Sequence, residues 1–293
     1  MTTHWIAEAV RQGLEELDVD AVLEQISTHV TTKGTWEKGV ISPSLVSVEC
    51  RLQRLKRFLG HDPWPGKPRF MGQRAGRPDA VSVINMTRGF LAEGLLVAAL
   101  EQALGPRVLA KAPTFAPRYV DDQTGMTFAG HPDMLVIGDY DEPELIQFKS
   151  PSVFKLDRVE KLGHSDALKT YQGQMATELF ICRNSIAVKQ WGRIPVRNNL
   201  ALFSWEMTPK NTKPRVIVVP LDWDESLASI PMVVADELEQ DVINAKNYGI
   251  WPEALPEHQW DTFPCSYCQF SRLGDYTETP VLPKCDHHEA FGA

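Results

Sequence analysis

Cysteine is scarce in this chain: five residues in 293, an odd number. A disulfide framework is excluded as the main source of stability, because such frameworks need many paired cysteines in an oxidising compartment. No apolar run reaches the roughly 20 residues that a membrane helix requires. The opening stretch, MTTHWIAEAVRQGLEELDVD, is amphipathic and acidic, with no basic start and no long apolar core. It does not read as a leader, so the expectation is a cytoplasmic protein without a membrane partner. An excess of positive charge is also missing, with 30 Lys and Arg against 38 Asp and Glu and a net charge of −8. That excludes a uniformly basic nucleic-acid wrapper. Internal repeats and low-complexity tracts are absent as well.

What is present is the composition of a folded domain, 43% hydrophobic and 23% charged. The charge is unevenly spread. Arg51, Arg54, Lys56, Arg57, Lys67, Arg69, Arg74 and Arg77 fall in one stretch opposed only by Asp62. Such a segment can hold phosphates by local field and counterion release even on an acidic body. Trp64 sits inside it and is the one tryptophan read as a base-stacking residue.

Periodicity predicts helices within residues 4–30, from Ser42-Pro43 to about Leu59, from Val83 to Leu104, from Asp166 to Cys182 and over 224–248. Strands are predicted at 108–114, 118–120, 126–129, 134–137, 145–148, 186–188, 201–205 and 216–220. This order implies an α/β fold with a mixed central β-sheet flanked by helices. The organisation expected is a helical segment over 1–40, a core over 41–250 that includes a basic loop at 60–78, and a cysteine-rich tail over 251–293.

Two elements carry chemistry. Gly130-His131-Pro132-Asp133 opens a strand, and Gln147-Phe148-Lys149 closes a later one. Residues two apart on a strand share a face, so Gln147 and Lys149 point the same way. An acid on one strand and a polar-x-Lys pair on its neighbour can converge on one divalent ion, which would activate water beside a phosphate. Lys149 would orient or deprotonate that water, or stabilise the transition state.

At these residues the chain resembles the PD-(D/E)XK nuclease superfamily. Arg88-Gly89-Phe90-Leu91-Ala92-Glu93 is similar to the Arg-Gly-x-x-x-Glu helix motif of lambda-exonuclease and YqaJ-type recombinases. Tyr171-Gln172-Gly173-Gln174-Met175 resembles the Gln-x-Gln helix that follows the catalytic lysine there and in RecB-type relatives. The resemblance implies Glu93, Asp133 and Gln147 as ligands of Mg²⁺ or Mn²⁺, with Lys149 as the catalytic lysine and Gln172 as a site-organising residue. It further implies contacts to DNA from Arg51, Arg54, Arg57, Lys67, Arg69, Arg74, Arg77, Arg88 and Tyr171. The activity implied is a DNA exonuclease acting from 5′ ends in recombination, repair or phage DNA metabolism, alone as a homo-oligomer or with a recombination or CRISPR-type partner protein. The family's second motif carries Asp or Glu where this chain has Gln147, whose amide oxygen can ligate Mg²⁺ but brings no charge. A catalytically weakened DNA-binding protein on the same fold is therefore the alternative.

Cys265-Ser266-Tyr267-Cys268 is followed by Cys285, and Cys50 stands near the other end in Ser42-Pro43-Ser44-Leu45…Cys50. That context resembles AddB-like and CRISPR-associated Cas-type iron–sulfur nucleases. The resemblance implies a 4Fe-4S cluster on Cys50, Cys265, Cys268 and Cys285, in a subdomain formed by the chain ends. By spacing alone, a zinc site on Cys265, Cys268 and Cys285 with His287 or His288 is equally open. Cys182 reads as a small buried hydrophobe.

Overall fold

The computed structural model describes residues 4–18, 20, 37–48, 50–60, 80–112, 114–190, 192–207 and 212–252. The chain forms two compact units. One comprises Met1–Lys33 and Arg88–Pro231, the other Gly34–Thr87 and Met232–Ala293. These divisions differ from the boundaries expected at residues 40 and 250, and the first unit holds the N-terminal segment together with residues 88–231. Among the described residues no helix is long and apolar enough to cross a membrane.

The first helix, α1 (Trp5–Glu15), is capped by His4, whose Nδ1 accepts from the Ile6 amide. Its apolar stripe of Ile6, Ala7, Ala9 and Val10 is buried in the core of the first unit, which is why this segment belongs there. The strand β1 (Val40–Ile41) and the helices α2 (Pro43–Val46) and α3 (Arg51–Phe58) lie in the second unit. A single helix from Ser42 to Leu59 was the expectation. Ser42 does cap α2, but the chain leaves the helix at Ser47 and restarts after Cys50, which is extended. The Val48 carbonyl freed by this break accepts from Nε and Nη2 of Arg54.

The helix α4 (Ala80–Leu104) runs into a short 3-10 turn over Gly105–Arg107. Then follow β2 (Val108–Lys111), the hairpin β3 (Arg118–Val120) and β4 (Thr127–Ala129), β5 (Met134–Ile137) and β6 (Pro143–Lys149). Helices α5 (Val153–Leu162) and α6 (His164–Asn184) come next. They meet at Gly163, whose φ of +84° is open to glycine at little cost. Residues 186–188, expected as a strand, begin the short helix α7 (Ile186–Gln190) instead. The Ile-Ala-Val run there follows the extended Ser185 that ends α6, and Lys189 N closes a turn on the Ser185 carbonyl. The long strands β7 (Arg197–Met207) and β8 (Thr212–Asp222) and the helix α8 (Ser229–Tyr248) complete the described chain.

The central sheet has the order β2-β5-β6-β7-β8. Among the described strands of this sheet only β6 and β7 run parallel, so the sheet is mixed, as the sequence predicts. Strand alternation divides its side chains cleanly. Met134, Val136, Ile146, Phe148, Ala201, Phe203 and Val218 face α1 and α4. Leu135, Leu145, Leu200, Leu202 and Val219 face α5 and α6. The result is a helix–sheet–helix sandwich with one apolar layer on each side.

The layer over the first face depends on close approach of two helices. A Cβ built on Gly13 of α1 would lie 1.9 Å from the Ala99 carbonyl oxygen of α4. Gly→Ala within a helix ordinarily stabilises by about 0.5–1 kcal/mol. Here the sign should reverse, because backbone cannot yield as a side-chain tip can. Gly13→Ala is expected to destabilise by about 1–3 kcal/mol in denaturant unfolding, and a gain in stability would contradict this packing.

Candidate active site at the end of the central sheet

Two neighbouring strands build the site. Met134 pairs with Ile146, and one further step in the register sets Asp133 opposite Gln147. The Asp133 carboxylate is buried, and its Oδ2 accepts from the Phe148 amide at 2.8 Å. This bond fixes the acid to β6 between Gln147 and Lys149. Both of those side chains leave β6 on the face of Leu145, the face covered by α6. Gln147 is 2% exposed, whereas Lys149, at the strand end, is half-buried and reaches the surface. Asp133, Gln147 and Lys149 therefore share one end of the sheet.

Glu93 comes from the other layer. It precedes Leu96, Val97 and Leu100 on the inward stripe of α4, which covers the Ile146 and Phe148 face. Among the described residues no group of three or more His, Cys, Asp or Glu is close enough to hold a metal ion. A site built from Asp133 and Gln147 would accordingly be poor in charge from its strands alone.

The residue that sequence reasoning missed is Glu178. It lies on α6 and is buried at 2% exposure. Its Oε1 accepts from Gln147 Nε2 at 2.9 Å and from Gln174 Nε2 at 3.2 Å. Its Oε2 accepts from Asn198 Nδ2 at 3.0 Å, and the same amide nitrogen also donates to the Met175 carbonyl. Burial pushes the Glu178 carboxyl up and the nearby charge of Asp133 adds to that. Lys149 and the amide donors of Asn198 and Gln174 work against it, and the outcome is about 7. Because the carboxylate can only accept, Gln147 turns its nitrogen toward it. The Gln147 Oε1 is left buried without a hydrogen-bond partner among the described residues.

Gln174, and not the expected Gln172, is the glutamine of α6 that enters this network. Tyr171 is half-buried and engaged by Lys155, whose ammonium donates to the Tyr171 hydroxyl at 3.0 Å and lies 4.5 Å from the ring centre. Cys182 is fully buried beside Leu179 and Val188, as a small hydrophobe would be. Burial pushes its thiol well up, which keeps it protonated and inert.

The basic segment looks different from its sequence. Arg54 is 7% exposed, ion-paired with Glu237 at 2.5 Å and bonded to the Val48 carbonyl. It ties α3 to α8 and is not offered to a phosphate, which corrects the expectation for this residue. Arg51 is exposed but pairs with Asp241 at 2.6 Å, and that bond holds its guanidinium above its ordinary value. Arg57 donates to Ser44 Oγ at 3.5 Å. Arg88 lies on α4, with its side chain outside the described residues, as are Lys67, Arg69, Arg74, Arg77 and Trp64. Cys265, Cys268 and Cys285 are outside them too. Cys50 is buried in a small apolar cluster with Val48 and Leu52, against which Trp251 packs.

No protein-family model matches this chain, and no curated protein matches it. A solved structure titled "Crystal structure of SSO0001" is similar, at 14% identity and a TM-score of 0.41, over 90% of this chain and 100% of that one. A likeness that slight carries no argument about fold or function.

The amide network around Glu178 generates a test on chelator-treated protein. Asn198→Ala removes the donor to Oε2 and is expected to cost about 1–3 kcal/mol of stability. Glu178 has its folded value raised from 4.5 to about 7. Its own contribution therefore favours folding below the unfolded value and is lost as pH rises through the folded one. Asn198 supports the charged form, so the cost of its removal should be larger at about pH 8 than at about pH 5.5. Urea unfolding at both pH values measures this, and equal losses would contradict the assignment.

Proposed function

We propose that this protein is a metal-dependent deoxyribonuclease that hydrolyses phosphodiester bonds at DNA ends. One observation carries the reading. An acid held by a neighbouring strand's amide, an amide with an unpartnered buried oxygen, and a lysine at the surface share one sheet end. The arrangement fits a small divalent cation: Asp133 supplies a carboxylate and Gln147 Oε1 a neutral oxygen in need of a partner, and Glu93, on the helix of the opposite layer, would complete the set. Mg²⁺ commonly takes one or two carboxylates and keeps several waters, so this donor set suffices. When bound, the ion would acidify a water and draw charge from a phosphate oxygen.

The chain's own groups do the rest. Asp133 is held in place, because its Oδ2 accepts from the Phe148 amide. Lys149 brings a cation to the partly open end of β6, where it orients the attacking water or a phosphate oxygen and stabilises the negative charge of the transition state. The half-buried position of Tyr171 on α6, with Lys155 against it, offers a second cation for the nucleic-acid backbone.

The same reading gives the second unit an iron–sulfur cluster on Cys50, Cys265, Cys268 and Cys285. What supports it is the burial of Cys50 beside Trp251, which brings the chain preceding the tail cysteines to the remote one. The ion pairs of Arg51 with Asp241 and Arg54 with Glu237 close this unit from chain segments far apart in sequence. Thiolate ligands would hold a tail that has little apolar periodicity of its own.

End-labelled single- and double-stranded DNA, incubated with the protein and Mg²⁺ or Mn²⁺, tests the activity. Wild type should release nucleotides from the ends and Lys149→Ala should do so about 10²–10⁴-fold more slowly. Equal digestion by the two overturns the assigned site, and DNA binding without hydrolysis points to the non-catalytic alternative and overturns the reading. Anaerobic purification should give a brown protein absorbing near roughly 400 nm, with iron and sulfide in equal amounts. A colourless protein carrying zinc overturns the cluster.

A further inference from the structure

The candidate ion site lacks a carboxylate on its second strand, yet an unassigned carboxylate stands behind it. We infer that Glu178 is the site's displaced acid: from α6 it supplies the negative charge that position 147 lacks, and it turns the Gln147 amide so that its oxygen faces the ion. This deepens the proposed metal-dependent reading and rests on it.

Geometry carries the inference. Gln147 Nε2 lies 2.9 Å from Glu178 Oε1, the shortest of the amide contacts to that carboxylate. A primary amide has two ends, and tying down the nitrogen commits the oxygen to the other direction. That oxygen is buried and unpartnered, on a side chain 2% exposed. A buried amide oxygen without a donor is costly unless something electropositive occupies the space before it. On the same sheet face Asp133 and Lys149 are close enough for their charges to be felt at Glu178. A cation is the ligand class that satisfies both the orphaned oxygen and two buried acids.

Packing explains why the acid can sit on the helix. Met175, Leu179 and Cys182 form the inward stripe of α6, and Glu178 falls on that stripe one turn from Gln174. Its second oxygen is held by Asn198 of β7, so the carboxylate is fixed from the sheet and the helix together. Glu178 acts through Gln147 and is a positioning residue in this scheme. A purely structural role would need the hydrogen bonds but not the charge.

Titration of chelator-stripped protein with Mn²⁺, followed by electron paramagnetic resonance of the free ion, separates the two roles without any activity assay. Wild type should bind Mn²⁺ at this site. Glu178→Gln should weaken binding at least tenfold. The exchanged pair Gln147→Glu/Glu178→Gln returns the charge to the strand and reverses the hydrogen bond, and it should recover affinity to within about threefold of wild type. Asn198→Ala keeps the acid but removes one donor that supports its charged form, so it should weaken Mn²⁺ binding less than Glu178→Gln does. If Glu178→Gln does not fold, the exchanged pair still decides.

Unchanged affinity in folded Glu178→Gln overturns the inference, as does failure of the exchanged pair to bind or absence of Mn²⁺ binding by wild type. Wild type that binds Mn²⁺ with these dependences but digests no DNA leaves the inference standing and removes the nuclease reading. DNA digestion by wild type, combined with a Glu178→Gln protein of unaltered Mn²⁺ affinity, does the reverse.

Discussion

A carboxylate with no access to water needs donors on every side, and Glu178 obtains them from three elements. Gln147 donates from β6, Asn198 from β7 and Gln174 from α6 itself. Desolvation of such a group costs several kcal/mol unless these bonds are made. The network therefore fixes the register between the helix and the parallel strand pair β6 and β7. The strands on either side follow from it, because β5 must lie where Asp133 can accept from the Phe148 amide. Apolar packing alone would tolerate sliding, since Leu, Val and Ile are interchangeable along a strand. Directional bonds to one buried acid do not.

The rest of the first unit is organised around the two faces that alternation creates. One face is sealed by α1 and α4, the other by α5 and α6. Buried polar groups interrupt the second face at Asn198 of β7, which bonds Glu178, and at the end where Asp133, Gln147 and Lys149 gather. A sheet end of this kind joins a buried, low-dielectric interior to an open mouth, where a charge can be both fixed and approached. In the second unit, charge serves a structural purpose instead. Arg51 and Arg54 are spent on Asp241 and Glu237, holding α3 against α8.

Much of this was legible in the sequence, and the exceptions have physical reasons. Strands β3, β5 and β6 could be located because alternation and turn residues bound them, and Gln147 and Lys149 could be set on one face because a strand repeats every two residues. The strand expected at 186–188 failed because Ile and Val favour strands only where a sheet edge awaits them, and here the chain leaves α6 at the extended Ser185 and restarts as the helix α7. The helix expected across Cys50 failed because a buried arginine, Arg54, compensates the broken carbonyl at Val48, and no local pattern announces such a partner. Glu178 went unnoticed among the apolar residues of α6. Its signature was present, however: an acid on the inward stripe with Met175 and Leu179 is out of place unless buried donors await it. The glutamines were half legible, since the Gln-x-Gln pattern marks the right turn of helix, but helical spacing chooses Gln174, four residues before Glu178, over Gln172.

Diffraction from crystals soaked in Mn²⁺, with data collected to show the anomalous signal of the ion, tests the central claim most directly. The account expects an anomalous peak within bonding distance of the Asp133 carboxylate and Gln147 Oε1, with Glu178 still bonded to the Gln147 nitrogen. A soaked crystal with no peak at that sheet end, or with the Gln147 amide reversed and its nitrogen facing the ion, would contradict it.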